Sequence, residues 1–216
     1  MGAVDRRKTR TAEPLGLGSE SVGLGARLRA ARERSEATVR GLARAVGVSP
    51  SLISQIERGR VMPSVGTLYA IANELGLLVD DLFRDAGRPP GNGEQPRNPV
   101  QRSDTRKSIR LGAGVRWERL TASPDNEAEF LHVVYDVGAA SCPEDSLIRH
   151  GGKEYAYMLS GRLGVKIGFE EYELAPGDSI SFDAQTPHRL WTLGSEPAVA
   201  IWVVLNRHSD LRKPEK

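Results

Sequence analysis

The sequence predicts two domains of different class, an all-α domain over residues 21–84 followed by an all-β barrel over residues 109–208. Three observations carry this. Apolar residues recur at helical spacing between Leu24 and Phe83. The stretch DAGRPPGNGEQPRNPVQRSD at 85–104 is rich in Pro, Gly and Asn, and it opens a segment, 85–108, that reads as a flexible linker. Beyond it, short runs alternate apolar and polar residues between Gly, Pro and Asp: Val115–Leu120, Glu129–Val137, Glu154–Leu159 and Leu163–Gly168. That rhythm belongs to an antiparallel sandwich or barrel. A chain of 216 residues is long enough for two small cores. The aperiodic segments 1–20 and 209–216 read as tails.

Composition narrows the function. Apolar residues make up 39% and charged residues 27%, as in ordinary globular proteins. No apolar run is long enough for a membrane-spanning helix. The basic N-terminus has no apolar stretch behind it, so no secretory signal is expected, and the expected compartment is the cytoplasm. Cys142 is the only cysteine, which rules out an internal disulfide framework and a cysteine-built zinc site. The net charge of +2 is unevenly spread. Residues 24–62 hold eight Arg against three Glu, a net of +5, whereas residues 109–216 hold twelve Lys and Arg against sixteen Asp and Glu, a net of −4. The first part suits a polyanion, or is simply a solvated Arg-rich surface.

Five short helices are expected in the first domain. In the second, Val39, Leu42, Ala43 and Val46 share one face, and Thr38 precedes them as an N-cap. Gly47 ends that helix, where a positive φ is cheap. Ser49 then caps the third helix and Pro50 takes its first position, which needs no N–H. Two helices of about two turns joined by Gly47–Val48–Ser49 must cross steeply. The third helix is thereby propped up with Leu52, Ile53 and Ile56 inward and Ser51, Ser54, Gln55 and Arg58 outward. Small polar side chains let such a helix approach base edges in a major groove. Gln55 can offer a paired donor and acceptor to adenine. Arg58, Arg60 and Arg40 suit phosphate contacts.

The stretch VSPSLISQIERG followed by PSVGTLYAIANELG resembles the XRE family of helix-turn-helix domains, the phage-repressor type. The resemblance covers residues 24–83. It implies that double-stranded DNA is the partner, that Ser49, Ser51, Ser54 and Gln55 face the bases, and that Arg58–Arg60 grip phosphates. Val39 and Pro50 stand where those repressors often carry glutamines. Val39 therefore brings no polar contact, and no operator sequence carries over.

In the second domain, HGGKEYAYMLSG (150–161) and PGDSISFDAQTPHRLW (176–191) resemble the two motifs of the cupin family, a double-stranded β-helix or jelly-roll barrel. The resemblance implies that His150, Glu154 and His188 meet inside the barrel. Two imidazoles and a carboxylate on one face would bind a divalent ion, with iron, manganese, nickel and zinc all open, and would leave coordination positions free. The full cupin motif has another histidine where this chain has Ile148, and often an Asn where it has Thr192, so three ligands are the most available. Without a metal, the same three side chains can hold an organic acid or amine by charge-assisted hydrogen bonds. Trp117, Arg119, Tyr157, Met158, Trp191 and Trp202 are candidates to line the pocket, or are core.

Two functions fit this layout. One is a transcription regulator whose barrel binds a small-molecule effector and alters operator affinity, and which pairs as a homodimer or higher oligomer to present two recognition helices. The other is a mononuclear iron oxygenase similar to hydroxypropylphosphonic acid epoxidase, which resembles this chain in layout and triad spacing. The polar third-helix face and its arginines favour the regulator, a non-enzyme. So do Leu147 and Ile148, apolar where a phosphonate pocket wants polar groups.

Overall fold

The computed structural model describes residues 19–83, 98–125 and 127–206. Four α-helices form the first domain: α1 Ser19–Arg34, α2 Val39–Ala45, α3 Pro50–Glu57 and α4 Val65–Glu74. α1 begins inside the segment read as an N-terminal tail. The rest of that tail, the tail at 209–216 and the first part of the expected linker lie outside the described residues.

Short polar side chains start three of the helices. The Thr38 hydroxyl accepts from the Gly41 N–H at 2.9 Å, Ser49 from Leu52 at 3.1 Å and Ser64 from Thr67 at 3.1 Å. Each satisfies an N–H that the helix itself leaves orphaned. Gly47, at φ 72°, turns the chain between α2 and α3. The expected fifth helix is instead a five-residue 3-10 turn, Val79–Phe83. Its first bond runs from the Asp81 N–H to the Leu78 carbonyl, three residues back, and its Asp80 side chain is drawn away toward the barrel.

Nine antiparallel strands build the second domain: β1 Ser108–Leu111, β2 Val115–Arg119, β3 Ala128–Tyr135, β4 Lys153–Ser160, β5 Arg162–Ile167, β6 Glu170–Leu174, β7 Ser179–Asp183, β8 His188–Leu193 and β9 Ala198–Leu205. One sheet has the order β1-β2-β3-β9-β4-β7 and the other β6-β5-β8. Bridges at Ala140–Trp191 and Ile148–His188 lay the long β3–β4 connection along β8. Inward positions alternate strictly in β9, where Ala198, Ala200, Trp202 and Val204 are buried. They meet Trp117, Leu131, Val133, Met158, Val165 and Leu190 in the barrel interior.

The two domains share one buried core, continuous from Leu24 to Val204. α1 and α4 dock the helical domain on the barrel, α1 against β1 and α4 against the β3–β4 connection. The Gly66 N–H donates to the Ser141 carbonyl at 3.1 Å, and the Gly112 N–H donates to the Pro63 carbonyl at 2.8 Å. A Cβ on Gly66 would lie 2.4 Å from Ile148 Cγ2, so only glycine allows this approach. Farther along, Asp80 accepts from the Asp125 N–H at 2.9 Å and faces Arg119 at 3.6 Å.

Candidate nucleic-acid interface and barrel site

The face that the sequence assigns to DNA contact is carried by α2 and α3. On α3, Ile53 and Ile56 are buried in the helical core, while Ser51 and Arg58 are exposed and Ser54 and Gln55 half-buried. Arg40, Ser49 and Arg60 are also exposed. The Gln55 amide donates to the Ser51 hydroxyl at 3.3 Å, a contact it can exchange for a base edge. The Ser49 hydroxyl already serves as the α3 cap. Arg32 holds the far end of α3. Its guanidinium meets the Glu57 carboxylate twice, at 2.6 and 3.0 Å, and donates to the Ala37 carbonyl at 2.9 Å. Sequence reasoning missed this clamp, because nothing local links residues so far apart.

The barrel site is built around β4 and β8. His150 precedes β4, Glu154 is its second residue and His188 opens β8. Their ligand atoms all lie within 4.8 Å of one another, and all three side chains are buried. His150 Nδ1 lies 3.0 Å from the Gly151 carbonyl, and His188 Nδ1 lies 2.9 Å from the Thr186 carbonyl. A carbonyl can only accept, so each Nδ1 carries the proton and each Nε2 keeps its lone pair. Glu154 Oε1 lies 2.7 Å from His150 Nε2 and 3.5 Å from His188 Nε2. Neither approach has the direction of a hydrogen bond, and both Nε2 atoms are buried without such a partner.

Glu154 is further oriented by the Trp202 indole N–H, which donates to Oε2 at 3.0 Å. Burial pushes the Glu154 carboxyl up, but the two imidazoles and the indole outweigh it and hold the group below the usual carboxylate range. Burial lowers the His188 imidazole, against the pull of Glu154. Two imidazoles oriented through Nδ1 by backbone carbonyls, so that Nε2 faces an ionised carboxylate, are an arrangement that suits metal ligation. Two converging buried lone pairs beside a carboxylate oxygen fit a divalent cation, so this buried triad can hold a metal.

Not every residue proposed for the pocket reaches it. Trp117 and Met158 point into the barrel and are buried. Arg119 also points inward, but its guanidinium lies at the domain junction, facing Asp80 and donating to the Thr121 carbonyl at 3.2 Å. Tyr157 falls on the outward phase of β4 and is 50% exposed. Trp191 lies on the outer side of β8 beneath the Arg189 guanidinium, 4.9 Å from its ring. Cys142 is buried, and burial pushes its thiol up, which leaves it a poor nucleophile.

Two residues that sequence reasoning passed over connect to the triad, Tyr69 directly and Glu129 through Tyr69. Tyr69 of α4 stacks on the His150 imidazole, with ring centres 4.0 Å apart and planes 24° apart. Its hydroxyl donates to Glu129 Oε2 at 3.2 Å, and its ring centre lies 5.6 Å from that of Trp117. The signal for Glu129 was available: it is a carboxylate on the inward phase of β3. Tyr69 had a weaker one, a polar-tipped aromatic between Leu68 and Ile71 on a largely apolar helix.

A helix-turn-helix domain with its recognition face open, packed on a cupin barrel, defines a class of DNA-binding regulators. A helix-turn-helix domain model matches residues 23–85 and a cupin domain model matches residues 131–204. The uncharacterized HTH-type transcriptional regulator YazB of Bacillus subtilis strain 168 is 38% identical over 58 residues, 27% of this chain and 84% of that protein. The HTH-type transcriptional regulator PuuR of Escherichia coli K12 is 24% identical over 195 residues, 89% of this chain and 98% of that protein. An HTH_3 family transcriptional regulator from Vibrio cholerae shares the fold with a TM-score of 0.62 at 21% identity, over 87% of this chain and 97% of that one. The chain belongs to the helix-turn-helix family of transcriptional regulators, and it is a DNA-binding regulator that carries a cupin domain. No described helix is long and apolar enough to cross a membrane.

Proposed function

We propose that the barrel of this regulator holds a divalent cation through His150, Glu154 and His188, that a small-molecule effector completes the site, and that occupancy changes operator affinity. The observation that carries this is the pair of buried Nε2 lone pairs converging on Glu154 Oε1. In this role the cation supplies a Lewis-acidic centre with open positions for an effector oxygen or nitrogen. Iron, manganese, nickel and zinc all suit two imidazoles and a carboxylate. Trp202 orients Glu154, and Gly151 and Thr186 orient the imidazoles. The barrel binds rather than turns over a substrate.

On the DNA side, Ser51, Ser54 and Gln55 read base edges while Arg40, Arg58 and Arg60 hold phosphates; Ser49 supports them as the cap. The regulator works in the cytoplasm as a homodimer that presents two recognition helices to two half-sites. The outer face of the large sheet supports pairing: Phe130, Val203 and Tyr155 run across three strands in register, next to Ile201 and Tyr157. An effector that binds two dimer geometries unequally shifts their population.

Metal analysis of the purified chain tests the barrel reading. About one equivalent of divalent metal is expected per chain, and His150→Ala should lose most of it. Equal metal content in both proteins would sink the assignment.

A further inference from the structure

α4 lies between the barrel site and the other helices, and Tyr69 is its point of contact with the triad. We propose that Tyr69 is the coupling residue through which occupancy of the barrel site is transmitted to the DNA-binding face. The proposal rests on the reading that the triad takes a divalent cation.

One face of α4 belongs to the helical domain: Val65, Leu68, Ile71 and Ala72 are buried there. The other face, through Gly66 and Tyr69, touches the barrel. Gly66 packs against Ile148 so closely that a Cβ would sit 2.4 Å from its Cγ2. Ile148 is two residues from His150 and exchanges both backbone hydrogen bonds with His188, at 2.8 and 2.9 Å. Three residues along, Tyr69 stacks on His150 and donates to Glu129. α4 thus reaches both histidines, one through its side-chain stack and the other through Ile148, which pairs with it.

The imidazole plane of His150 is held on one side by the Nδ1 bond to Gly151, while Nε2 faces Glu154 Oε1 at 2.7 Å without a directed hydrogen bond. A ligand at Nε2 fixes the plane, and a stacked ring must follow it. α4 contacts α2, and α2 packs on α3, so a tilt of α4 reaches the recognition face through two helix contacts. Interiors of this density shift between discrete arrangements rather than deform smoothly. A ring pair of this geometry is worth about 2- to 12-fold in an equilibrium, enough to carry a sizeable share of a typical coupling.

The test uses the full chain, Co(II) as the probe and a fluorescent duplex selected from a random library by the wild-type protein. Co(II) binding is followed by its visible absorption and duplex affinity by anisotropy, with and without Co(II). Wild type should change duplex affinity by about fivefold or more on binding Co(II). Tyr69→Leu should bind Co(II) within about threefold of wild type but change duplex affinity by less than about twofold, because the ring pair is gone. Tyr69→Phe, which keeps the ring, should retain most of the wild-type response. If Tyr69→Leu binds Co(II) and responds like wild type, the coupling role is overturned while the metal site stands. If wild type binds Co(II) with no change in duplex affinity, the coupling is likewise overturned. If wild type binds no Co(II), the metal reading itself falls, and the proposal with it. Amide exchange provides a second measurement should Tyr69→Leu not fold: in wild type the α4 amides, 65–74, should change protection when Co(II) is added, and unchanged protection overturns the proposal.

Discussion

Replacing Arg32 with Met keeps the length and apolar stem of the side chain and removes only the guanidinium. The loss is concentrated. Two short bonds to Glu57, at 2.6 and 3.0 Å, disappear together with the bond to the Ala37 carbonyl. Glu57 keeps a side chain only 8% exposed, so its carboxylate is left without a cation in a place that water hardly reaches. Breaking one side of a buried pair typically costs about 3–5 kcal/mol. Both partners retain a little solvent contact, so about 3 kcal/mol is expected here. For a chain of this size each kcal/mol moves the melting midpoint by about 2–4 °C, giving a drop of about 6–12 °C. The assay is thermal unfolding of wild type, Arg32→Met, Glu57→Leu and the double variant. The double variant removes both charges and should recover much of the loss, giving a coupling of about 2 kcal/mol or more in the cycle. A single variant that melts within about 2 °C of wild type, about one kcal/mol or less, would refute the view that this clamp holds the end of the recognition helix.

Other substitutions separate reading from gripping. Gln55→Ala should relax base preference at one operator position. Arg58→Ala should weaken all duplexes about equally and reduce the salt slope by about one; comparing selected and random duplexes across salt concentrations distinguishes the two effects. Asp80 carries a pH signature. Burial pushes its carboxyl up to about 6, despite Arg119 and the Asp125 N–H, with Glu129 and Asp81 adding to the rise. A carboxyl raised on folding binds more protons in the native state, so its contribution falls as pH rises from its unfolded value, about 4, through 6. Asp80→Asn should therefore gain about 2 kcal/mol relative to wild type between pH 4 and pH 7 in urea titrations; a difference that stays flat or moves the other way contradicts the burial. Gly161, at φ 69°, turns β4 into β5, and a Cβ there would lie 2.2 Å from the Pro197 carbonyl. Gly161→Ala should cost about 2 kcal/mol or more by denaturant unfolding, because both the φ strain and the overlap with backbone must be relieved.

The fold was legible where local rules decide it. Thr38, Ser49, Pro50 and Gly47 mark helix ends, and the structure uses the hydroxyls and the turn as the sequence suggests. Period-two alternation located the principal strands to within a residue or two. What could not be read is non-local. The fifth helix shrank to a 3-10 turn because Asp80 is engaged by the barrel, a partner that no helical pattern reveals. Within the site, His150, Glu154 and His188 converge as the motif implies, whereas Tyr157 and Trp191 failed as pocket residues on strand phase alone. Arg119 sits on the inward phase but is drawn to the junction by Asp80. Tyr69 was out of reach because its role depends on how one domain rests on the other.

That resting surface limits how such proteins can be rearranged. By sequence, a DNA-reading unit and a ligand-reading barrel look like interchangeable modules joined by the linker expected at 85–108. Here, however, Val79, Leu82 and Phe83 share a core with Ile109 and Trp117, and the glycine of α4 is fitted to one isoleucine of this barrel. Grafting the N-terminal unit onto another sensor would therefore uncover an apolar seam and an idle tyrosine. Because α1 packs on β1 as well, a working chimera must re-fit both α1 and α4 to the new barrel, so the helical domain and its barrel recombine best as one unit.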